Sequence, residues 1–232
     1  MWIGCVITWS PNGGEIAFAA YKRDNVDIWA APSTGGRTRQ VTVDVGDDST
    51  PGWSPDGRKI AFSSDRAGNP DIWVVPAEGG TARQLTTNPA EERTPSWSPD
   101  GEWMAFLSRR AASDDIWAMP VSGGAAVQVT DFPETGEYVP NWSPDGSRLS
   151  YNASHWQGRI MVMPAAGGQP EEVVSEGINP RISVNDGGAI WSPDGLQIAY
   201  LAIGATGLPS PARAACLSAG LPTDARSPIR PG

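Results

Sequence analysis

Trp53-Ser54-Pro55-Asp56-Gly57 sits at the centre of a pattern that organises the chain. Trp9-Ser10-Pro11-Asn12-Gly13 precedes it; Trp97-Ser98-Pro99-Asp100-Gly101, Trp142-Ser143-Pro144-Asp145-Gly146 and Trp191-Ser192-Pro193-Asp194-Gly195 follow, with the tryptophans 44, 44, 45 and 49 residues apart. A period in this range marks a repeat architecture. The pentapeptide encodes a tight turn. Pro fixes φ at the first central position, Asp or Asn bonds locally at the second, and Gly takes the positive φ that follows. The expected result is a hairpin built on a type I turn with a Gly bulge.

The second repeat supplies the template. Thr50 to Trp53 reads as a strand, Ser54 to Gly57 as the turn, and Lys59-Ile60-Ala61-Phe62-Ser63-Ser64 as the next strand. After the loop Asp65 to Pro70 comes Asp71-Ile72-Trp73-Val74-Val75-Pro76, rich in β-branched and aromatic residues. The turn at Gly79-Gly80 leads to a fourth strand, Thr81 to Thr86. The strand cores are almost continuously apolar, which implies burial on both faces. Four-stranded blades with a neighbour on each side meet that condition, as in a β-propeller.

The fold expected is therefore all-β: a propeller of four-stranded antiparallel blades, about four complete and a fifth begun, from a six- to eight-bladed ring. The units fall near 4–47, 48–92, 93–136, 137–180 and 188–203. Pro180-Arg181-Ile182-Ser183 is either a displaced, degenerate turn motif or part of a longer connection. From residue 204 the composition turns to Ala, Pro, Gly, Leu and Arg without strand pattern, reading as a disordered tail or an out-of-frame segment.

The formal charge of −9 argues against a nucleic-acid partner held through phosphates. Residues 204–232 carry three Arg against one Asp, so the acidity belongs to the repeats. Cys5 and Cys216 form no metal spacing and could pair only if the chain ends meet. No apolar run is long enough to span a membrane. The first residues lack a signal-peptide pattern, so the sequence as it stands implies the cytoplasm.

The string Trp-Ser-Pro-Asp-Gly, Ile-Ala-Phe, Asp-Ile-Trp, Gly-Gly, Arg-Gln-Leu-Thr resembles the WD-like repeat of TolB-type β-propellers, and also that of the propellers of prolyl-oligopeptidase-like serine peptidases. The resemblance covers about residues 4–203. A TolB-type identity implies a six-bladed propeller that binds a lipoprotein in the bacterial cell envelope. A peptidase identity implies a propeller that gates a catalytic domain. No segment here resembles the N-terminal domain of the first or the hydrolase domain of the second.

Catalytic chemistry is sparsely provided for. His155 is the one histidine, and no Gly-x-Ser-x-Gly elbow occurs. A metal site or other cofactor is not expected, because the acidic pairs lack the calcium-loop spacing. The Asp of each turn recurs with every blade, as a turn residue should. The expectation is a non-catalytic scaffold that binds a protein or peptide. The alternatives are the substrate-gating propeller of a peptidase and a propeller lyase or lactonase. In a propeller, the loops between second and third strands share one face with the connections between blades. Here these segments vary while the turns on the opposite face repeat. Variation on one face suggests binding there; unconstrained loops would look the same. The candidate contacts are Arg23, Asp24, Asp65, Arg66, Arg109, Arg110, His155 and Trp156. Open blade edges also suggest oligomerisation or aggregation.

Overall fold

The computed structural model describes residues 6–22, 25–111, 113–131, 136–154, 159–173, 189–201 and 214–217. They form five antiparallel sheets, each following chain order from its first strand to its last. Blade 1 comprises β1 (Ile7–Trp9), β2 (Glu15–Lys22), β3 (Asn25–Pro32) and β4 (Arg39–Gln40). Blade 2 comprises β5 (Asp48–Trp53), β6 (Lys59–Ser64), β7 (Asp71–Pro76) and β8 (Arg83–Gln84). Blade 3 comprises β9 (Glu92–Trp97), β10 (Trp103–Ser108), β11 (Asp115–Pro120) and β12 (Val127–Gln128). Blade 4 comprises β13 (Gly136–Trp142), β14 (Arg148–Ser154), β15 (Arg159–Pro164) and β16 (Glu171–Glu172). Blade 5 has three strands, β17 (Ile190–Trp191), β18 (Ile198–Leu201) and β19 (Ala214–Leu217).

Two elements differ from the template. The fourth strand is two residues long in each complete blade, because side chains take over the ladder. In blade 2 the Ile72 N–H donates to Thr86 Oγ1 at 2.9 Å instead of to a backbone carbonyl. The other is β19, a strand in the segment where the sequence shows no strand pattern. It pairs Ala199 with Cys216 and Leu201 with Ala214, satisfying the edge of β18. Cys5 lies outside the described residues.

The turn motif folds as its chemistry demands. Its five glycines have φ of 69–74°. In blade 2, Gly57 N–H donates to Ser54 O at 2.9 Å. Ser54 Oγ donates to Asp56 Oδ1 at 2.6 Å, and Asp56 Oδ1 also accepts the Arg58 N–H at 3.0 Å. Asn12 does the same in blade 1, accepting from Ser10 Oγ and from the Gly14 N–H. The Ser54 hydroxyl is the largest cause holding the Asp56 carboxyl below the ordinary carboxylate range.

Alternation along each second strand explains the apolar runs. Ile60 and Phe62 pack with Ala17, Ile28 and Ala30 of blade 1. Ala61 between them packs with Met104 and Phe106 of blade 3. Ala105 in turn joins Leu149 and Tyr151 of blade 4. Large side chains thus face the preceding blade, and a small one receives those of the next. The motif reinforces each junction. A Cβ on Gly57 would lie 3.6 Å from Pro11, and one on Gly101 3.7 Å from Pro55. Trp97 Nε1 donates to Gly52 O at 3.0 Å, Trp142 Nε1 to Ser96 O at 3.1 Å, and Trp191 Nε1 to Asn141 O at 3.2 Å.

Candidate functional site

The first strands of the blades gather around a central channel. The channel contains a cavity of about 750 Å³, walled by residues 6–8, 50–53, 94–97, 139–141, Pro55 and Ile190. None of these side chains is ionisable, although 19% of the chain is charged. Thr50, Thr94 and Val139 take positive φ of 50, 51 and 50° in this wall, each just before a proline. Side chains branched at Cβ rarely adopt that conformation, and it costs about 1–3 kcal/mol per residue. The strand pairing shifts at each of these points, between Ser49 and Gly52, Arg93 and Ser96, and Tyr138 and Asn141. The strain is thus the local cost of a bulge that bends each inner strand.

A second set of groups lies where the second strands end, on the face of the connecting loops. Arg66 Nη2 donates to both oxygens of the fully buried Asp48, at 2.9 and 2.8 Å. Its guanidinium also lies 5.2 Å from the Phe62 ring centre and 5.0 Å from that of Trp73. Arg110 repeats the arrangement, with Nε 2.7 Å from Glu92 Oε1 and its guanidinium over Phe106 and Trp117. In blade 1, Lys22 stands over Trp29 at 4.6 Å and donates to Gln40. Burial raises the pKa of Asp48, opposed by hydrogen bonds from Ser64, Thr42 and Arg66. Burial likewise raises that of Asp27, against Gln40 and Thr42.

The sequence candidates therefore fall into three groups. Arg66 and Arg110 turn their guanidinium groups inward. Arg109 is exposed, bonded through Nε to Asp114 at 2.6 Å, and Asp65 is exposed, accepting the Asp47 N–H at 2.8 Å. Arg23, Asp24, His155 and Trp156 lie outside the described residues. Sequence reading took Asp48 and Glu92 as members of acidic pairs carrying solvated loop charge, and Lys22 as part of a variable loop, and gave none of them a partner. The signal was a fixed offset: Lys22, Arg66 and Arg110 each stand 13 residues after a motif Trp, and Asp48 and Glu92 five before one. Among the described residues, no three His, Cys, Asp or Glu side chains cluster as metal ligands. Among the described residues, no helix is long and apolar enough to cross a membrane.

Radial sheets joined through their motif turns around a common channel define a β-propeller. The chain belongs to the TolB beta propeller domain family, whose model matches residues 5–207. Comparison with curated protein sequences gives no match. Among solved structures, the chain is similar to a protein of Agrobacterium tumefaciens assigned as a TolB, with TM-score 0.73, 24% identity, and coverage of 87% of this chain and 70% of that one. It is also similar to TolB from Acinetobacter baumannii, with TM-score 0.70, 20% identity, and coverage of 87% and 50%. An oligogalacturonate lyase in complex with manganese matches with TM-score 0.64 and 15% identity, covering 89% of this chain and 59% of that one. At these identities the likeness is one of fold.

Proposed function

We propose that this propeller is a non-catalytic scaffold that binds a protein or peptide at the loop-face mouth of its central channel. The observation that carries this reading is the channel wall, which offers backbone, Thr, Pro and Trp surface and no ionisable group. Such a wall suits an uncharged, extended segment, because a charged group would be desolvated there without a partner. Membership of the TolB propeller family supports the same reading. The exposed Asp65 and Arg109 are rim contacts. Arg23, Asp24, His155 and Trp156 take the same role from their sequence positions. Arg66 and Arg110 shape the rim from beneath. The compartment that fits is the bacterial cell envelope.

The test is a peptide-display selection on the full chain, repeated with a Ser96→Trp variant that fills the channel. Selected peptides should lose at least about tenfold in affinity for that variant, or 1.4 kcal/mol. They should lose only a few-fold for Asp65→Lys or Arg109→Glu. Equal binding to the filled variant would overturn the channel reading.

A further inference from the structure

Every blade junction in the chain is built from the same residues. The large apolar side chains of a second strand pack on the blade before. The small residue at the centre of that blade's own second strand is fully buried each time, as Ala17, Ala61, Ala105 and Ser150. At all four junctions the motif Gly seats on the motif Pro of the blade before, where a Cβ would lie 3.5–3.7 Å from the ring. At three of them the motif Trp donates across the junction; at the first, Trp53 Nε1 finds no acceptor among the described residues. Two half-junctions are left over among the described residues. On blade 1, Trp9 is exposed, Ile16 and Phe18 are only half-buried, and a Cβ on Gly13 would meet nothing within 4 Å. On blade 5, Ala199 is exposed where its equivalents are fully buried, and so are Pro193 and Ile190, the latter in the acceptor position before the motif Trp. Residues 6–8 and Ile190 wall the same channel cavity, so the two halves flank one seam.

We propose that this seam binds one further blade of the same repeat, supplied by a separate polypeptide. A single repeat cannot bury both of its apolar faces alone and needs a neighbour on each side; the seam offers both. Blade 3 shows the contacts such a unit makes. Towards the blade before, Met104 and Phe106 pack with Ala61, and Trp97 Nε1 donates to Gly52 O. In the seam the equivalent receivers are Ala199 and the Ile190 carbonyl. Towards the blade after, Ala105 packs with Leu149 and Tyr151, and Ser96 O accepts from Trp142 Nε1. In the seam the equivalent partners are Ile16, Phe18 and the Trp9 indole. Gly101 would meet Pro193, and Pro99 would meet Gly13, as they meet Pro55 and Gly146 within the chain. One blade thus satisfies both halves at once. A second copy of the chain would cover one half with each contact and leave the other open. This inference stands whether or not the channel binds a peptide.

The test uses a fluorescently labelled synthetic peptide of residues 92–130, one blade of this chain, titrated with the full chain. Saturable binding of one peptide per chain is expected, together with a higher denaturant midpoint of the chain when the peptide is present. Trp9→Lys and Ala199→Arg place a charge on either side of the seam, at exposed positions. Each should weaken binding at least about tenfold. If a variant fails to fold, the peptide carries the test. Its Trp97→Phe form, which lacks the indole N–H, should bind the wild-type chain several-fold more weakly, and a shuffled peptide should not bind. No saturable binding, or equal binding by wild type and both variants, would overturn the inference. So would self-association of the chain that the peptide does not compete away, which would give the seam to a second copy.

Discussion

Blades 1 and 2 carry nearly the same residues in the same register, yet among the described residues blade 2 is packed on both faces and blade 1 on one. Trp53 is 9% exposed, and its equivalent Trp9 is 60% exposed. Ile60 and Phe62 are fully buried against blade 1, whereas Ile16 and Phe18 are only half-buried. A Cβ on Gly57 would touch Pro11, while one on Gly13 would meet nothing within 4 Å. A repeat sequence therefore specifies a blade with two apolar faces, and each face is buried where a neighbouring blade packs on it.

The largest effect expected from this contrast lies in the core. Phe62→Ala should cost about 3–5 kcal/mol, because it opens a cavity between two packed sheets. Phe18→Ala, on the uncovered face, should cost less than half as much. Denaturant midpoints of the two variants check the difference, and equal losses would mean that blade 1 is covered in solution.

The second contrast is between the two loop-face ion pairs, Arg66 with Asp48 and Arg110 with Glu92. A Cβ on Gly46 would lie 2.7 Å from the Arg66 backbone nitrogen and 2.8 Å from its Cα. The equivalent position before Glu92 is occupied by Ala90. Gly46→Ala should therefore cost about 1–3 kcal/mol by pushing the Arg66 loop off Asp48. Adding Asp48→Glu, which reproduces the Ala90–Glu92 pairing, should recover part of that loss. No recovery in the double variant would show that the two ion pairs are not equivalent.

These contrasts also show what the sequence could and could not reveal. The turn is legible because Ser, Pro, Asp and Gly act on one another over five residues. The two-sided burial is legible because Ile-Ala-Phe has no polar member to face water. Arg66 and Arg110 read as exposed loop charges because their partners stand 18 residues upstream and meet them only once the blade has formed. The positive φ of Thr50, Thr94 and Val139 left no local sign, since a residue before proline is expected to be extended. β19 was invisible for a related reason: its pairing is dictated by the open edge of β18 and not by alternation of its own.

The smallest effect separates the hydrogen bond of the motif Trp from its bulk. Trp97 Nε1 donates across the junction to Gly52 O, so Trp97→Phe should cost about 1 kcal/mol beyond the change in packing. Trp9 has no blade before it among the described residues, and Trp9→Phe should leave the denaturant midpoint where it is. Trp9→Lys should be equally silent in stability but should raise the solubility of the chain. Together with Ile7, 58% exposed, the Trp9 ring forms an apolar patch of the kind that drives association. If Trp9→Lys instead destabilises the chain as a core substitution does, then the face of blade 1 is occupied in solution. The difference between blades 1 and 2 would then vanish.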